Sequence, residues 1–399
     1  MSATSATKPK LAYIGCWFNR DMYSHNCSDL INALRRRGAD VKVITSNCRC
    51  FSSAQKFDIS VDELINGDCK AVRLPHAPAN PGRKKHGLVK YLVVKMLRLD
   101  VWLAAMRGVL YYRNTRFADI VHYDQVLEAF GVIPLYVLAL LAARKRRQLF
   151  VTVHEVDPFQ RRHKWINSLY GRCAQVIVYS ENMKKEIVGL GVDPHRVAVT
   201  RYPAVVTGIE PAERSRYVFF GGHNILNGKG YPELLGALKI LKSRAIAIQL
   251  AIYVGHGCNG LDRAREMAAS SGLEDLIEWK DFFTGSELAA AYQTCKTCIV
   301  PYTGGSARHV LTTAMTNGTP VIATRNVDIP EYLGPFGIYI DGSSESIADA
   351  VCDIESGKTD VRALGQRLRW KAIDELDVTK VAENLLRIYG MPLENIESS

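Results

Sequence analysis

No low-complexity tract and no internal repeat occurs in this 399-residue chain, which excludes collagen-like and solenoid architectures. With 47% hydrophobic and 23% charged residues, bulk disorder is excluded as well. No apolar run reaches the roughly 20 residues that a bilayer span needs. The longest, residues 129–143, contains Pro134 and is followed by Arg144-Lys-Arg-Arg147; it reads as a buried helix at the back of a sheet. The first ten residues, MSATSATKPK, are polar and lead straight into a strand, so no secretory signal is expected. The ten cysteines are scattered and read as reduced thiols of a cytoplasmic protein. Cys295-x-x-Cys298 has no second pair and no histidine cluster beside it, which argues against zinc. No Asp-x-Asp metal motif occurs, and no basic–aromatic reader pattern points to nucleic acid.

What the chain does have is an alternation of short apolar runs and helical patterns, the signature of βαβ units and a parallel sheet. Strands are expected at 10–14, 41–45, 120–123, 149–153, 176–179 and 197–200, with helices at 28–37, 128–143, 162–172 and 181–190. After Pro203 a loop rich in Gly, Pro and Glu marks a boundary, and a second α/β series follows. Its strands are expected at 217–220, 249–254, 277–279, 297–300, 320–324 and 338–340. Helices at 231–243, 261–271, 286–295, 308–317, 345–356 and 380–390 separate them. The expectation is two doubly wound Rossmann-like domains, 1–205 and 206–399, facing a cleft, with the last helices free to pack back on the first domain. Net charge is +11 overall. The first 200 residues hold 31 Lys+Arg against 16 Asp+Glu, the remainder 20 against 24. One half seeks anions and the other does not.

Two glycine loops in the second half carry chemistry. Residues 220–230 end a strand in Gly221-Gly222-His223 and open a helix after Gly228-Lys229-Gly230. Glycines let backbone amides approach a phosphate, and a lysine at a helix start adds a point charge. Residues 300–322 repeat the arrangement, with Ser306 read as an N-cap, the amides of Ala307 and Arg308 inside, and Arg308 as a second cation. Two such cradles suit a diphosphate. Gly255-x-Gly-x-x-Gly260 matches a dinucleotide fingerprint, but Asn259-Gly260 reads as a turn rather than a helix start. In the first half, His154 stands at the carboxyl end of a strand, with Glu155 and Asp157 beside it, where polar side chains of doubly wound sheets meet ligands.

Together these pieces resemble a GT-B glycosyltransferase, most like the GT4 (group 1) family. The resemblance runs from the opening strand and Gly15 through Val121-His122, Thr152-Val-His154, Val178-Tyr-Ser180, Gly228-Lys-Gly230 and Val254-Gly-His-Gly257 to Ala314-Met-x-x-Gly-Thr-Pro-Val-Ile322 and Pro330-Glu331. It implies a nucleoside-diphosphate sugar as donor and a lipid-linked or polysaccharide acceptor, with no cofactor and no metal. Carried over, Gly222, His223, Lys229, Ser306, Ala307 and Arg308 would hold the diphosphate. Phe282, Phe283, Thr284 and Thr313 would hold the nucleoside, Gly15 and Arg20 the acceptor, while His154 and Asp157 would be catalytic. The family's glutamate pair, eight residues apart, reads Gly305 and Thr313 here. That departure keeps two other readings open, a catalytically silent subunit that activates a partner and a nucleotide-sugar epimerase.

Residues 83–116 contain nine Lys/Arg and one acid, Asp100. On a helix Lys90, Lys95 and Arg98 share one arc, opposite Leu88, Leu92, Met96, Leu99, Leu103 and Met106. A basic amphipathic helix of this kind suits an anionic membrane surface, so the expected location is cytoplasmic and peripheral on the inner face of the plasma membrane.

Overall fold

Runs of β-branched and aromatic residues too short for helices, each followed by a longer amphipathic stretch, dictate a sheet whose neighbouring strands are joined by helical crossovers. The computed structural model describes residues 9–15, 21–47, 72–75, 99–124, 129–143, 147–156, 165–206, 214–280, 285–326 and 328–392. The chain divides into two units, Met1–Arg201 with Val378–Ser399, and Tyr202–Asp377.

The first unit runs β1 (Lys10–Gly15), α1 (Asp21–Arg36), β2 (Asp40–Asn47), β3 (Val72–Pro75), α2 (Leu99–Asn114), β4 (Ile120–Asp124) and α3 (Ala129–Ala143). It continues through β5 (Gln148–Thr152), α4 (Trp165–Tyr170), β6 (Gln175–Val178), α5 (Glu181–Gly189) and β7 (Val197–Val199). The strands form one seven-stranded sheet of order β3-β2-β1-β4-β5-β6-β7, parallel throughout. The apolar run at 129–143 is α3, with Leu135, Leu138, Ala139 and Ala142 buried. No helix among the described residues is long and apolar enough to cross a membrane.

The second unit runs β8 (Arg216–Asn224), α6 (Tyr231–Ser243), β9 (Leu250–Asn259), α7 (Leu261–Ser270), β10 (Ile277–Lys280), α8 (Gly285–Thr294), β11 (Cys295–Val300) and α9 (Arg308–Thr316). After it come β12 (Val321–Thr324), α10 (Ile329–Leu333), β13 (Ile338–Ile340), α11 (Ser344–Glu355) and α12 (Val361–Glu375). Its sheet is six-stranded, of order β10-β9-β8-β11-β12-β13, and also parallel.

The chain then returns to the first unit as α13 (Val378–Ile388). Val378, Val381, Ala382, Leu385 and Leu386 recur at helical spacing, and all are buried against Leu30, Leu34, Leu11 and Phe150. Arg37 of the first unit pairs with Glu383 at 2.5 Å. The sequence reading put the division at 205/206, whereas the structure puts it at 201/202 and again at 377/378. Ala204 donates to the carbonyl of Leu376 at 2.9 Å, so the chain enters and leaves the second unit side by side. Three elements were not expected. The apolar stripe of α12 consists of Gly365, Leu368 and Ala372, too thin to read as a face, while α10 and β3 are only five and four residues long.

Leu386 is fully enclosed in the core around α13. Leu386→Ala is therefore expected to cost about 2–5 kcal/mol of unfolding free energy, read as a lowered urea midpoint. A loss below about 0.5 kcal/mol, the size of an ordinary surface substitution, would contradict the docking of α13.

Candidate functional site

In the second unit the two glycine loops are joined by their backbones. The Gly228 carbonyl accepts the N–H groups of Thr303 (3.0 Å) and Gly304 (3.2 Å). Gly230 has φ +70°, and a Cβ there would lie 2.1 Å from the Pro301 carbonyl oxygen; only glycine lets the start of α6 approach the end of β11 this closely. The Lys229 ammonium stands 3.9 Å from the centroid of the Tyr302 ring, a cation–π contact worth about 0.5–2 kcal/mol. Tyr302 is fixed on both sides. Its hydroxyl donates to the Phe220 carbonyl, and its own carbonyl accepts from Thr324 Oγ1 (2.6 Å) and Asn326 Nδ2 (2.8 Å). Gly222 lies beside the Lys229 stem, and the His223 ring covers Gly255. The structure thus brings Gly222, His223, Lys229 and the 303–306 loop into one region.

Tyr302 also walls a recess lined by Gly305, Ser306, Arg308, Asn326 and Asp328, where two expectations are corrected. The helix boundary puts the N-cap of α9 at Ala307, one residue later than expected, while the Ser306 hydroxyl still makes a capping contact, accepting the Arg308 amide at 3.3 Å. Arg308 was expected to supply a cation, but its guanidinium is buried and paired with the equally buried Asp328. A desolvated guanidinium needs such a partner, and the pair contributes little net charge to an incoming anion. Thr313 turns its hydroxyl back on the helix, donating to the His309 carbonyl at 2.8 Å.

In the first unit, Asp124 ends β4 opposite Thr152 of β5, and both are buried. His154, just beyond β5, has Nε2 2.8 Å from Asp124 Oδ1 and is buried under Tyr179 at 5.0 Å between ring centroids. Beside them, His122 contacts the Tyr389 hydroxyl through Nδ1 and Thr152 Oγ1 through Nε2 at 2.7 Å. Burial holds the His122 pKa down at about 4, against the opposing pull of Asp124, so this ring is neutral near pH 7. Glu155 is exposed, and Gly15 ends β1. Arg20, Asp157, Phe282, Phe283 and Thr284, and residues 83–98, lie outside the described residues.

Cys295 and Cys298 are buried in β11, and burial pushes the Cys295 thiol up to about 12 and Cys298 well above its ordinary value. They are inert core thiols. Among the described residues no group of His, Cys, Asp and Glu is arranged to hold a metal. The Gly255–Gly260 motif is the tail of β9, closed by a turn at Gly260 as expected, and that glycine is also the N-cap of α7. Sequence reasoning missed Asp124, Tyr302 and Asp328. The first two follow predicted strands directly and were legible by position; Asp328 is found only through its contact with Arg308, twenty residues earlier.

Comparison with known proteins gives these arrangements a family context. Residues 27–201 match the family model described as Glycosyltransferase Family 4, and residues 214–356 match the one described as Glycosyl transferases group 1. The chain is 26% identical over 175 residues to an MMP alpha-(1->4)-mannosyltransferase of Mycolicibacterium hassiacum, covering 42% of this chain and 41% of that protein. It is 30% identical over 196 residues to a D-inositol 3-phosphate glycosyltransferase of Corynebacterium glutamicum, covering 44% and 47%. The matched part spans less than half the length of these curated relatives. Among solved structures, Anabaena HepE in complex with UDP and glucose superposes with a TM-score of 0.67 at 17% identity, over 96% of this chain and 99% of that one. That likeness is one of fold, the two-domain α/β GT-B architecture.

Two outcomes follow from this geometry. Gly230 and Gly257 both have left-handed backbones, but a Cβ at Gly257 meets nothing within 4 Å. Gly257→Ala is expected to cost only the backbone strain of about 1–2 kcal/mol, and Gly230→Ala clearly more; equal melting temperatures would contradict the close approach to Pro301. His122 has a folded pKa of about 4 against an ordinary 6.5. Between these values the unfolded chain takes up a proton that the folded chain refuses, so stability falls as pH drops from about 6.5 to 4, by about 3 kcal/mol in all. In urea titrations across that range, His122→Gln should show a shallower slope than the wild type. An unchanged slope would show that His122 is not held neutral.

Proposed function

The chain belongs to the glycosyltransferase group 1, family 4 proteins, and from that premise we propose that it moves a sugar from a nucleoside-diphosphate sugar to a hydroxyl of a lipid-linked or polymeric saccharide at a membrane surface. One observation carries the donor half of this reading: two backbone-stitched glycine loops beside Lys229, with its ammonium over Tyr302. Backbone amides at the start of α6 and α9 favour an anion, and Lys229 would hold the charge that develops on the departing diphosphate. The complex of HepE with UDP and glucose supports a uridine nucleotide as the first donor to try.

The acceptor half rests on His154 at the carboxyl end of β5. In this reading its imidazole meets the acceptor hydroxyl and takes up its proton, while Gly15 and Arg20 contribute to the acceptor side. Gly305 and Thr313 provide no carboxylate, so counter-charge for the reacting sugar falls on groups other than a glutamate pair. That same absence favours the second reading, a silent subunit that binds nucleotide and activates a partner.

Membrane attachment rests on α2. Trp102, Met106 and Val109 recur at helical spacing and are exposed, Trp102 by 68%, with Arg113 and Arg116 exposed at the helix end. A tryptophan-bearing apolar stripe flanked by cations suits the boundary of an anionic bilayer.

Incubation of the protein with labelled UDP-, GDP-, ADP-, CDP- and dTDP-sugars and a membrane lipid extract should move label from one donor into the lipid or polymer fraction. Isomerised free donor would establish the epimerase instead, and bound but unconverted donor the silent subunit. Trp102→Ser with Met106→Ser should lower retention on vesicles containing phosphatidylglycerol by about tenfold, and added salt should lower wild-type retention. Retention equal to the wild type would remove α2 from the membrane.

A further inference from the structure

The buried side of helix α12 is pinned to its own unit. Gly365 approaches Gly318 so closely that a Cβ would lie 2.2 Å from the Gly318 carbonyl oxygen, and Arg369 donates to the Thr316 carbonyl at 2.6 Å. The opposite side presents Arg362, Gln366, Arg367, Trp370, Ile373 and Asp374, all exposed. Trp370 is exposed by 68% and Ile373 by 42%, one turn apart on a helix held rigidly from behind. Arg367 is steadied over the Phe336 ring at 5.7 Å. Tryptophan and arginine are the side chains that dominate the energy of protein–protein contacts.

Charge selects the kind of partner. An anionic bilayer attracts cations and disfavours carboxylates, whereas this face carries both signs: Arg362 and Arg367 before Trp370, Asp374 after it. At 100° per residue, Arg367 and Asp374 stand on the same flank of Trp370, about one turn to either side of it along the axis. A face with its cation on one side of the centre and its acid on the other is complementary to itself when turned through 180°. We propose that α12 is the contact surface for a second copy of this chain, the two helices packing antiparallel about a two-fold axis beside Trp370. The tryptophans of the two copies meet at the axis, and Arg367 of each copy faces Asp374 of the other, so the charge pair occurs twice. An ionised carboxylate has about four acceptor sites, so contacts of Asp374 within its own chain leave room for one across the axis. A single helix pair buries less than the roughly 1,200–2,000 Å² of a standard interface, so the dimer forms and dissociates with protein concentration.

The test is sedimentation velocity over about a hundredfold range of protein concentration, followed as a monomer–dimer equilibrium. The wild type should pass from monomer to dimer, and Trp370→Ser should raise the dimer Kd about 30-fold or more, the size of an interface hot spot. Arg367→Asp and Asp374→Arg should each dimerise worse than the wild type, because each sets like charges against one another twice. Mixed in equal amounts, these two variants should pair with each other, since both contacts then join opposite charges. The double variant Arg367→Asp/Asp374→Arg should dimerise as the wild type does, which also shows that the two substitutions leave the chain folded. A wild type that stays monomeric, an unchanged Kd in Trp370→Ser, or single variants that pair no better mixed than alone would each overturn the proposal. Retention of the wild type on phosphatidylglycerol vesicles that is lost in Trp370→Ser would assign the face to a membrane and overturn it as well. None of these outcomes bears on sugar transfer, so the glycosyltransferase reading stands or falls separately.

Discussion

The second unit depends on a contact between two pieces of backbone. The Gly228 carbonyl takes two amides from the 303–304 loop, and Gly230 lies so close to Pro301 that a single methyl group would push the start of α6 away from the end of β11. That contact sets where Lys229 and Tyr302 meet, and hence where a cation stands in relation to the two helix starts. Side chains in this region are comparatively few. Hydrogen-bonded amides and helix ends define the shape, and Lys229 adds the charge.

Charge is handled in two different ways within a few residues. Arg308 is buried and cancelled by Asp328, which makes the pair a structural strut between α9 and the start of α10. Lys229 rests on the Tyr302 ring, an aromatic face that eases partial desolvation of the ammonium. In the first unit, His122 on β4 is kept neutral by desolvation, while His154 beyond β5 lies against the Asp124 carboxylate.

Much of this was legible beforehand, and for physical reasons. Strands β8, β9, β11 and β12 and helix α6 are visible because largely buried parallel strands carry continuous apolar runs, and because α6 starts at a Gly-Lys-Gly turn. Helix α13 is visible as a face, Val381, Ala382, Leu385 and Leu386, and its return to the first domain was left open, since a helical stripe does not itself say which core it enters. Helix α12 hid behind a stripe of one glycine, one leucine and one alanine. Ser306 looked like an N-cap because serine before a helix usually is one, and its hydroxyl does accept the Arg308 amide, although the helix itself begins one residue later than expected. Lys229 was found because a local pattern carries it. Asp328 was not, because its meaning lies in a contact twenty residues away.

The central claim is that the loops around Lys229 hold a nucleoside diphosphate. The direct measurement is a thermal-shift series with UDP, GDP, ADP, CDP and dTDP on the wild type and on Lys229→Ala. At about 100 times its Kd a ligand stabilises the folded protein by roughly 2.7 kcal/mol, enough to raise the melting temperature visibly. The account predicts that one nucleotide does so for the wild type and that the shift is lost in a folded Lys229→Ala. An equal shift in both proteins, or none with any nucleotide, would contradict it.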